Sequence, residues 1–343
     1  MTARLDRTTT TPSGEDTMRA IAQNVYGPEP ETLLHEADVP RPAAGEGKVL
    51  VQVAAASVDR GTWHLLTGRP QLMRLMGFGL RRPKALNPGR SFAGTVVEIG
   101  DGVTQLHPGD EVYGTAEGSF AEYVAADVGK VARKPANLSF EQAAAAPVSG
   151  VTALQAVRDQ ARLQPGQRVL VMGASGGVGT CLVQLAKASG AHVTGVASTT
   201  KLDLVRTLGA DEVIDYRVED ALTGERSYDV ILDTGGNRSL AEVRRALAPT
   251  GTLVIVGGED DGRWLGGFAR NLKAMAIAPF ARGQRLRSLA STENAADLDE
   301  LRAIIERGDL TPAIDRTYPL SETTEAIRRL MDGEARGKVV IRL

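Results

Sequence analysis

Arg168-Val-Leu-Val-Met-Gly-Ala-Ser-Gly-Gly-Val-Gly-Thr180 carries an apolar run of strand length through a cluster of glycines into a helical pattern. Residues 168–172 are apolar on both faces after Arg168, so they read as a strand covered on both sides. Beyond the glycines, Leu182, Val183, Leu185 and Ala186 mark the apolar face of a helix over 180–189, and Gly190 supplies its left-handed stop. A strand that turns on glycine into a helix opens a doubly wound parallel sheet. The alternation continues with strand 192–197, helix 201–208 closed by Gly209, strands 212–215 and 229–233, helix 239–247 headed by Ser239, and strand 252–256 after the turn Pro249-Thr-Gly251. The fold class is α/β.

Working outward, residues 19–135 show short apolar alternations broken by Gly and Pro, among them Lys48-Val-Leu-Val-Gln-Val53 and Gly94-Thr-Val-Val-Glu-Ile-Gly100. Many short strands predict a barrel-like β domain. Helical text follows at 140–146 and 152–163. After Gly258 the sequence loosens into Gly-rich, basic text, then gives helices at 297–307 and 322–331 and a closing strand, Lys338-Val-Val-Ile-Arg-Leu343, expected to pair back onto the first domain. Thr-rich residues 1–17 read as a disordered tail, which makes Met18 the structural beginning.

Across 343 residues, 40 Lys and Arg stand against 42 Asp and Glu, a net charge of −2. No global field would hold such a chain on nucleic acid or an anionic membrane, so the expected partner is a small molecule. The basic text from Arg263 to Arg287, with Trp264, Phe268 and Phe280, reads as the solvated side of a loop and helix. One cysteine, Cys181, and four scattered histidines, His35, His64, His107 and His192, build neither a disulfide nor a Cys-rich metal site. A reducing, cytoplasmic setting fits, and no stretch reaches the roughly 18 apolar residues of a membrane span.

The chemical signal lies in the glycine-rich turn. A pyrophosphate needs backbone N–H groups, the positive end of a helix dipole and no Cβ where the chain comes close. Ser175, Gly176, Gly177, Val178 and Gly179 offer these, although Ala174 stands at the first glycine of the G-x-G-x-x-G frame. At the end of the second strand, Ala197-Ser-Thr-Thr-Lys201 holds no carboxylate to bond the ribose 2′-hydroxyl of NAD. Ser198, Thr199 and Lys201, with Tyr216 from the next strand end, instead supply donors and positive charge for a 2′-phosphate, which favours NADPH. Gly235 and Gly257 fall at further strand ends, where a nicotinamide would lie.

Several ordered motifs then resemble the medium-chain dehydrogenase/reductase superfamily, in its zinc-independent quinone oxidoreductase (zeta-crystallin-like) branch. They are Pro88-Gly-Arg-Ser-Phe-Ala-Gly-Thr-Val-Val-Glu-Ile-Gly100, Pro108-Gly-Asp-Glu-Val112, Gly118-Ser-Phe-Ala-Glu-Tyr123, Gly150-Val-Thr-Ala-Leu154, the turn at 173–179, Leu208-Gly-Ala-Asp211 with Ile214-Asp-Tyr216, and Gly337-Lys-Val-Val340. The resemblance implies a GroES-like β-barrel catalytic domain with an inserted Rossmann sheet: residues 18–142, then 143–285 for the cofactor, then 286–343 returning to the barrel. It also implies a homodimer. Zinc-dependent relatives carry Gly-His-Glu where this chain has Gly89-Arg90-Ser91, and an early cysteine that is absent here. Relatives line the substrate cleft with an Asn-x-x-Asp-x-Tyr type segment. By that resemblance Asp59 replaces the Asn, His64 stands where enoyl reductases carry a proton-donating Tyr, and Thr152 lies beside the nicotinamide. Met73, Leu75, Met76 and Phe78 read as an apolar wall over the substrate or as packing and dimer contacts.

The expected activity is a zinc-free, NADPH-dependent reduction of a quinone or α,β-unsaturated carbonyl, whose π-system delocalises the charge that hydride transfer creates. His64 and Asp59 are the expected catalytic side chains. Two other readings stay open. One is an NADPH-binding regulatory or partner protein with little turnover; the other is an NAD(P)-dependent alcohol or aldehyde reductase.

Overall fold

The computed structural model describes residues 17–257, 266–281 and 283–343; within these, the side chains of Met76, Gly267 and Phe268 are not described. Three expectations lie wholly or largely outside them: the tail at 1–16, the turn at Gly258, and Arg263 with Trp264 in the basic text.

The chain opens with the antiparallel pair β1 (Thr17–Gln23) and β2 (Leu34–Pro40). The barrel follows: β3 (Lys48–Val58), helix α1 (Arg60–Thr67), β4 (Ser91–Ile99), β5 (Glu111–Thr115), β6 (Tyr123–Asp127) and β7 (Val131–Arg133). Val49, Val51 and Val53 of β3 and Phe92 and Val96 of β4 fill its interior, as alternation along a pleated strand requires. Helices α2 (Phe140–Ala145) and α3 (Pro147–Gln155) lead out of the barrel, α2 beginning at a Ser139 capping box. The stretch read as a helix from 152 starts earlier, at Pro147, whose fixed φ suits a first helical position.

Next come β8 (Arg168–Met172), α4 (Gly177–Ala188), β9 (His192–Ala197), α5 (Leu202–Thr207), β10 (Glu212–Asp215), β11 (Tyr228–Asp233), α6 (Leu240–Arg245) and β12 (Leu247–Ile255). Two further elements, α7 (Gly267–Ile277) and β13 (Arg285–Ser288), complete a six-stranded, all-parallel sheet of order β10-β9-β8-β11-β12-β13. In its own count that is 3-2-1-4-5-6, the doubly wound order whose direction reverses between β8 and β11. Pro249-Thr-Gly251 was expected as a turn before a strand. Here it is a register shift inside β12, between the Leu247 and Thr252 pairings with β11.

The chain returns through α8 (Ala295–Glu306), β14 (Ile314–Pro319), α9 (Thr323–Met331) and β15 (Lys338–Arg342). β15 lies between β14 and β3, antiparallel to β3, so the closing strand completes the barrel sheet β14-β15-β3-β4-β5-β7, with β6 on β3. This is a GroES-like barrel with an inserted Rossmann sheet. The two larger sheets share one apolar core: Ala55 and Ala93 of the barrel pack in one cluster with Val169 and Val171 of β8 and Leu182 of α4.

Candidate active site

The turn between β8 and α4 occupies the middle of the sheet's carboxyl edge, where the strand order reverses. Sequence periodicity placed the helix start at Thr180, but α4 begins at Gly177 with Gly176 as its N-cap. Gly177, Val178 and Gly179 therefore form its first turn, where backbone N–H groups lack helical partners and the dipole is positive. The glycines divide the work. A Cβ on Gly179 would stand 2.0 Å from the Gly173 carbonyl oxygen, and one on Gly177 would stand 2.8 Å from Lys338 Cδ and 3.0 Å from Ser149 Oγ. Those two serve close packing. A Cβ on Gly176 would meet only the Gly173 oxygen at 3.5 Å, so the space over this amide end is open. An open approach to unpaired amides fits a diphosphate.

Ser175 is buried and its carbonyl accepts from Gly337 N at 2.8 Å. Val178 packs on the shared core. Gly235 and Gly257 follow β11 and β12, and both amides turn onto Asp233: Gly235 N donates to its carboxylate at 3.1 Å and Gly257 N to its carbonyl at 3.3 Å. Asp233 is wholly buried, with Arg270 of α7 2.6 Å away as its counter-ion. Thr152 lies buried on α3.

The strand ends of β9 and β10 bring Ser198, Thr199 and Tyr216 together, because Ala197 and Asp215 are register partners. Tyr216 exposes its ring, and its amide donates to Ala197 O at 3.2 Å. Two side chains there are already engaged. The Thr199 hydroxyl donates to the Asp215 carboxylate, which holds that carboxyl below the usual range together with the Arg217 amide. Lys201 Nζ donates to Gly333 O at 2.6 Å and Ala335 O at 2.8 Å. Burial lowers its pKa, and the nearby Arg329, Arg336 and Arg217 add to the effect against Asp315. The absence of a carboxylate from Ala197-Ser-Thr-Thr-Lys201 thus did not leave this end without one, since Asp215 arrives from the neighbouring strand. Arg217 and Arg336 had escaped sequence reading; the signal for them was only adjacency to Tyr216 and to the closing strand.

A cavity of about 310 Å³ opens in the barrel half. Tyr26, Leu65, Phe78 and Pro83 form its apolar side, and Lys84, Arg90 and Lys130 bring cations to its lining. Phe78 takes the place expected of an apolar wall, whereas Leu75 is exposed and absent from the lining. Arg90 Nη2 reaches Glu293 Oε2 at 3.2 Å, in the segment between β13 and α8, so this side of the cavity is tied to the returning chain.

The two expected catalytic side chains lie elsewhere. His64 is in the last turn of α1 with Nδ1 2.8 Å from Arg69 O, and burial depresses its pKa. Asp59 is the N-cap of α1 and is buried; its carboxylate is paired with Lys338 Nζ and accepts from Ser91 Oγ at 3.0 Å. Neither lines the cavity. Cys181 is buried in the apolar core, which pushes its thiol up to about 11, the state of a packing residue. Among the described residues no group of three or more His, Cys, Asp and Glu is placed to hold a metal, and no helix is long and apolar enough to cross a membrane.

Residues 45–136 match the family described as Alcohol dehydrogenase GroES-like domain, and 208–341 match Zinc-binding dehydrogenase. The chain is 35% identical over 325 residues to the mitochondrial NAD(P)H oxidoreductase RTN4IP1 of Mus musculus, covering 86% of this chain and 81% of that one. This chain belongs to the medium-chain dehydrogenase/reductase superfamily. Another relative is the 2-methylene-furan-3-one reductase of Solanum lycopersicum, 32% identical over 348 residues, covering 97% of this chain and 81% of that one. The quinone oxidoreductase structure from Coxiella burnetii superposes with a TM-score of 0.81 at 30% identity, over 95% of this chain and 99% of that chain. As a medium-chain dehydrogenase/reductase it is an oxidoreductase that works with a nicotinamide cofactor.

Proposed function

We propose that this protein is a metal-free reductase of quinones or α,β-unsaturated carbonyls that uses NADPH. The observation that carries the reading is the open amide end of α4 over Gly176, set where the sheet order reverses. Ser175, Gly176, Gly177, Val178 and Gly179 would hold the diphosphate. Ser198, Thr199, Lys201 and Tyr216, joined by Arg217 and Arg336, would take the 2′-phosphate; Thr152, Gly235 and Gly257 would flank the nicotinamide. NADPH supplies the hydride when bound. Arg90 lines the cavity and, as a permanent cation, is suited to an acceptor oxygen that gains negative charge. A guanidinium ligates no metal, which supports the metal-free reading at Gly89-Arg90-Ser91.

The experiment is a cofactor-oxidation screen with NADPH beside NADH across quinones, enones, enals and simple aldehydes. Turnover of the conjugated acceptors with NADPH is expected. Turnover of unconjugated aldehydes alone, or preference for NADH, overturns it. The rival reading is an NADPH-binding partner protein with little turnover; binding without oxidation of any acceptor would establish it. The compartment we infer is the cytoplasm. We also infer a homodimer: β13 is an edge strand, and Leu272, Met275 and Phe280 are exposed beside it.

A further inference from the structure

Lys338 opens the strand that closes the barrel, yet its side chain lies against the turn of the other sheet. Its Cδ is what a Cβ on Gly177 would strike at 2.8 Å. The preceding residue is tied to the same turn: Gly337 N donates to Ser175 O at 2.8 Å, and Gly337 makes a parallel bridge with Gly176. From there the ammonium reaches away from the turn, to Val58 O at 3.0 Å and to the Asp59 carboxylate. Asp59 is held in turn by Ser91 Oγ at 3.0 Å, and its amide donates to Thr62 Oγ1 at 3.3 Å, the reciprocal contact of a capping box. It thereby fixes the first turn of α1, which carries Leu65 into the cavity wall.

Lys338 is 3% exposed and Asp59 5%. An ion pair this buried gives up the hydration of both charges, and apolar residues of similar volume would serve stability at least as well. What the pair supplies is a defined geometry between two elements that belong to different sheets. We propose that Lys338 is a positioning residue that couples the nucleotide turn to the substrate wall: a dinucleotide seated over Gly176 and Gly177 steadies Lys338, and through Asp59 it steadies α1 and Leu65. The proposal rests on the nucleotide reading above. Coupling of this kind is reciprocal, so an acceptor against Leu65 also tightens the nucleotide.

Hydrogen exchange read by mass spectrometry on the full chain, with and without saturating NADP⁺, tests it without any acceptor. NADP⁺ is expected to slow exchange at least fivefold both at 173–180 and at 60–67. In the Lys338→Met/Asp59→Asn double variant, which removes both charges together, protection at 173–180 persists and protection at 60–67 is lost. Equal protection of 60–67 in the double variant overturns the proposal, as does its absence in the unaltered chain. A uniform rise in exchange at both segments, indifferent to NADP⁺, marks a merely structural pair and also overturns it. Should the double variant not fold, Asp59→Asn alone, which keeps the shape and the bond to Ser91, is read by the same outcomes. If neither NADP⁺ nor NAD⁺ protects 173–180 in the unaltered chain, the nucleotide reading fails first and the coupling with it.

Discussion

Lys201 sits where two requirements meet, since its ammonium bridges to the carbonyls of Gly333 and Ala335 and is also proposed to take the 2′-phosphate. Lys201→Ala should raise the KM for NADPH roughly tenfold or more, the scale of a lost charge-assisted hydrogen bond, with a smaller change for NADH. Parallel steady-state kinetics with the two cofactors measure this, and equal changes would remove Lys201 from phosphate recognition. Arg90→Met should cost on the order of 10²-fold in kcat toward a quinone, as removal of an oxyanion-stabilising donor does elsewhere. A loss confined to KM would make Arg90 a binding group only. His64 offers a pH test. Burial lowers its folded-state pKa, so below its unfolded value near 6.5 the unfolded chain binds the proton more readily. Its contribution to stability is present above that value and is lost as pH falls through the lower folded-state pKa. His64→Gln should flatten the fall of Tm on acidification below about 6.5; an unchanged profile refutes the assignment.

At the scale of elements, the turn before α4 tolerates least. Gly179→Ala places a methyl 2.0 Å from the Gly173 oxygen, an overpacking expected to cost ~1–3 kcal/mol or more and to shift the amides that face the open space over Gly176. Denaturant melts and nucleotide titration should both register it, whereas Gly176→Ala should weaken nucleotide binding with little change in stability. These glycines were legible because packing and chemistry act on consecutive residues. The four strands β8, β9, β11 and β12 were legible for a similar reason, each carrying an apolar run that is buried. β13 was not: Arg285-Leu-Arg-Ser288 buries only Leu286 on the sheet's outer edge, so it read as basic loop text. β14, with Asp315 and Arg316 in Ile314-Asp-Arg-Thr-Tyr-Pro319, hid in the same way. α7 lay inside that basic text, and its Arg270 turned out to be the buried partner of Asp233, an arrangement no local pattern announces. Asp59 was marked as special by its position, yet its partner Lys338 stands 279 residues away, and chemistry assembled over that distance leaves no spacing to read.

For the molecule as a whole, barrel and sheet meet through contacts of two kinds. One is the continuous apolar core from Ala55 and Ala93 to Val171 and Leu182. The other is a set of polar ties, among them Gly337 to Ser175 at the turn and Lys201 to the carbonyls of Gly333 and Ala335. The topology also sets a timetable for biosynthesis. β3 pairs with β15 across residues 55–58 and 339–342, and the Lys338 ammonium meets Val58 O over a separation of 280 residues. A ribosome delivers the sheet of parallel strands in full before it delivers the barrel's last stave, so the inserted half is able to fold while the half that emerged first waits, unfinished, with residues 55–58 of β3 bare on the side that β15 will cover. Such an open edge invites pairing with other nascent chains, which makes the interval before residue 342 appears the most hazardous in this protein's life.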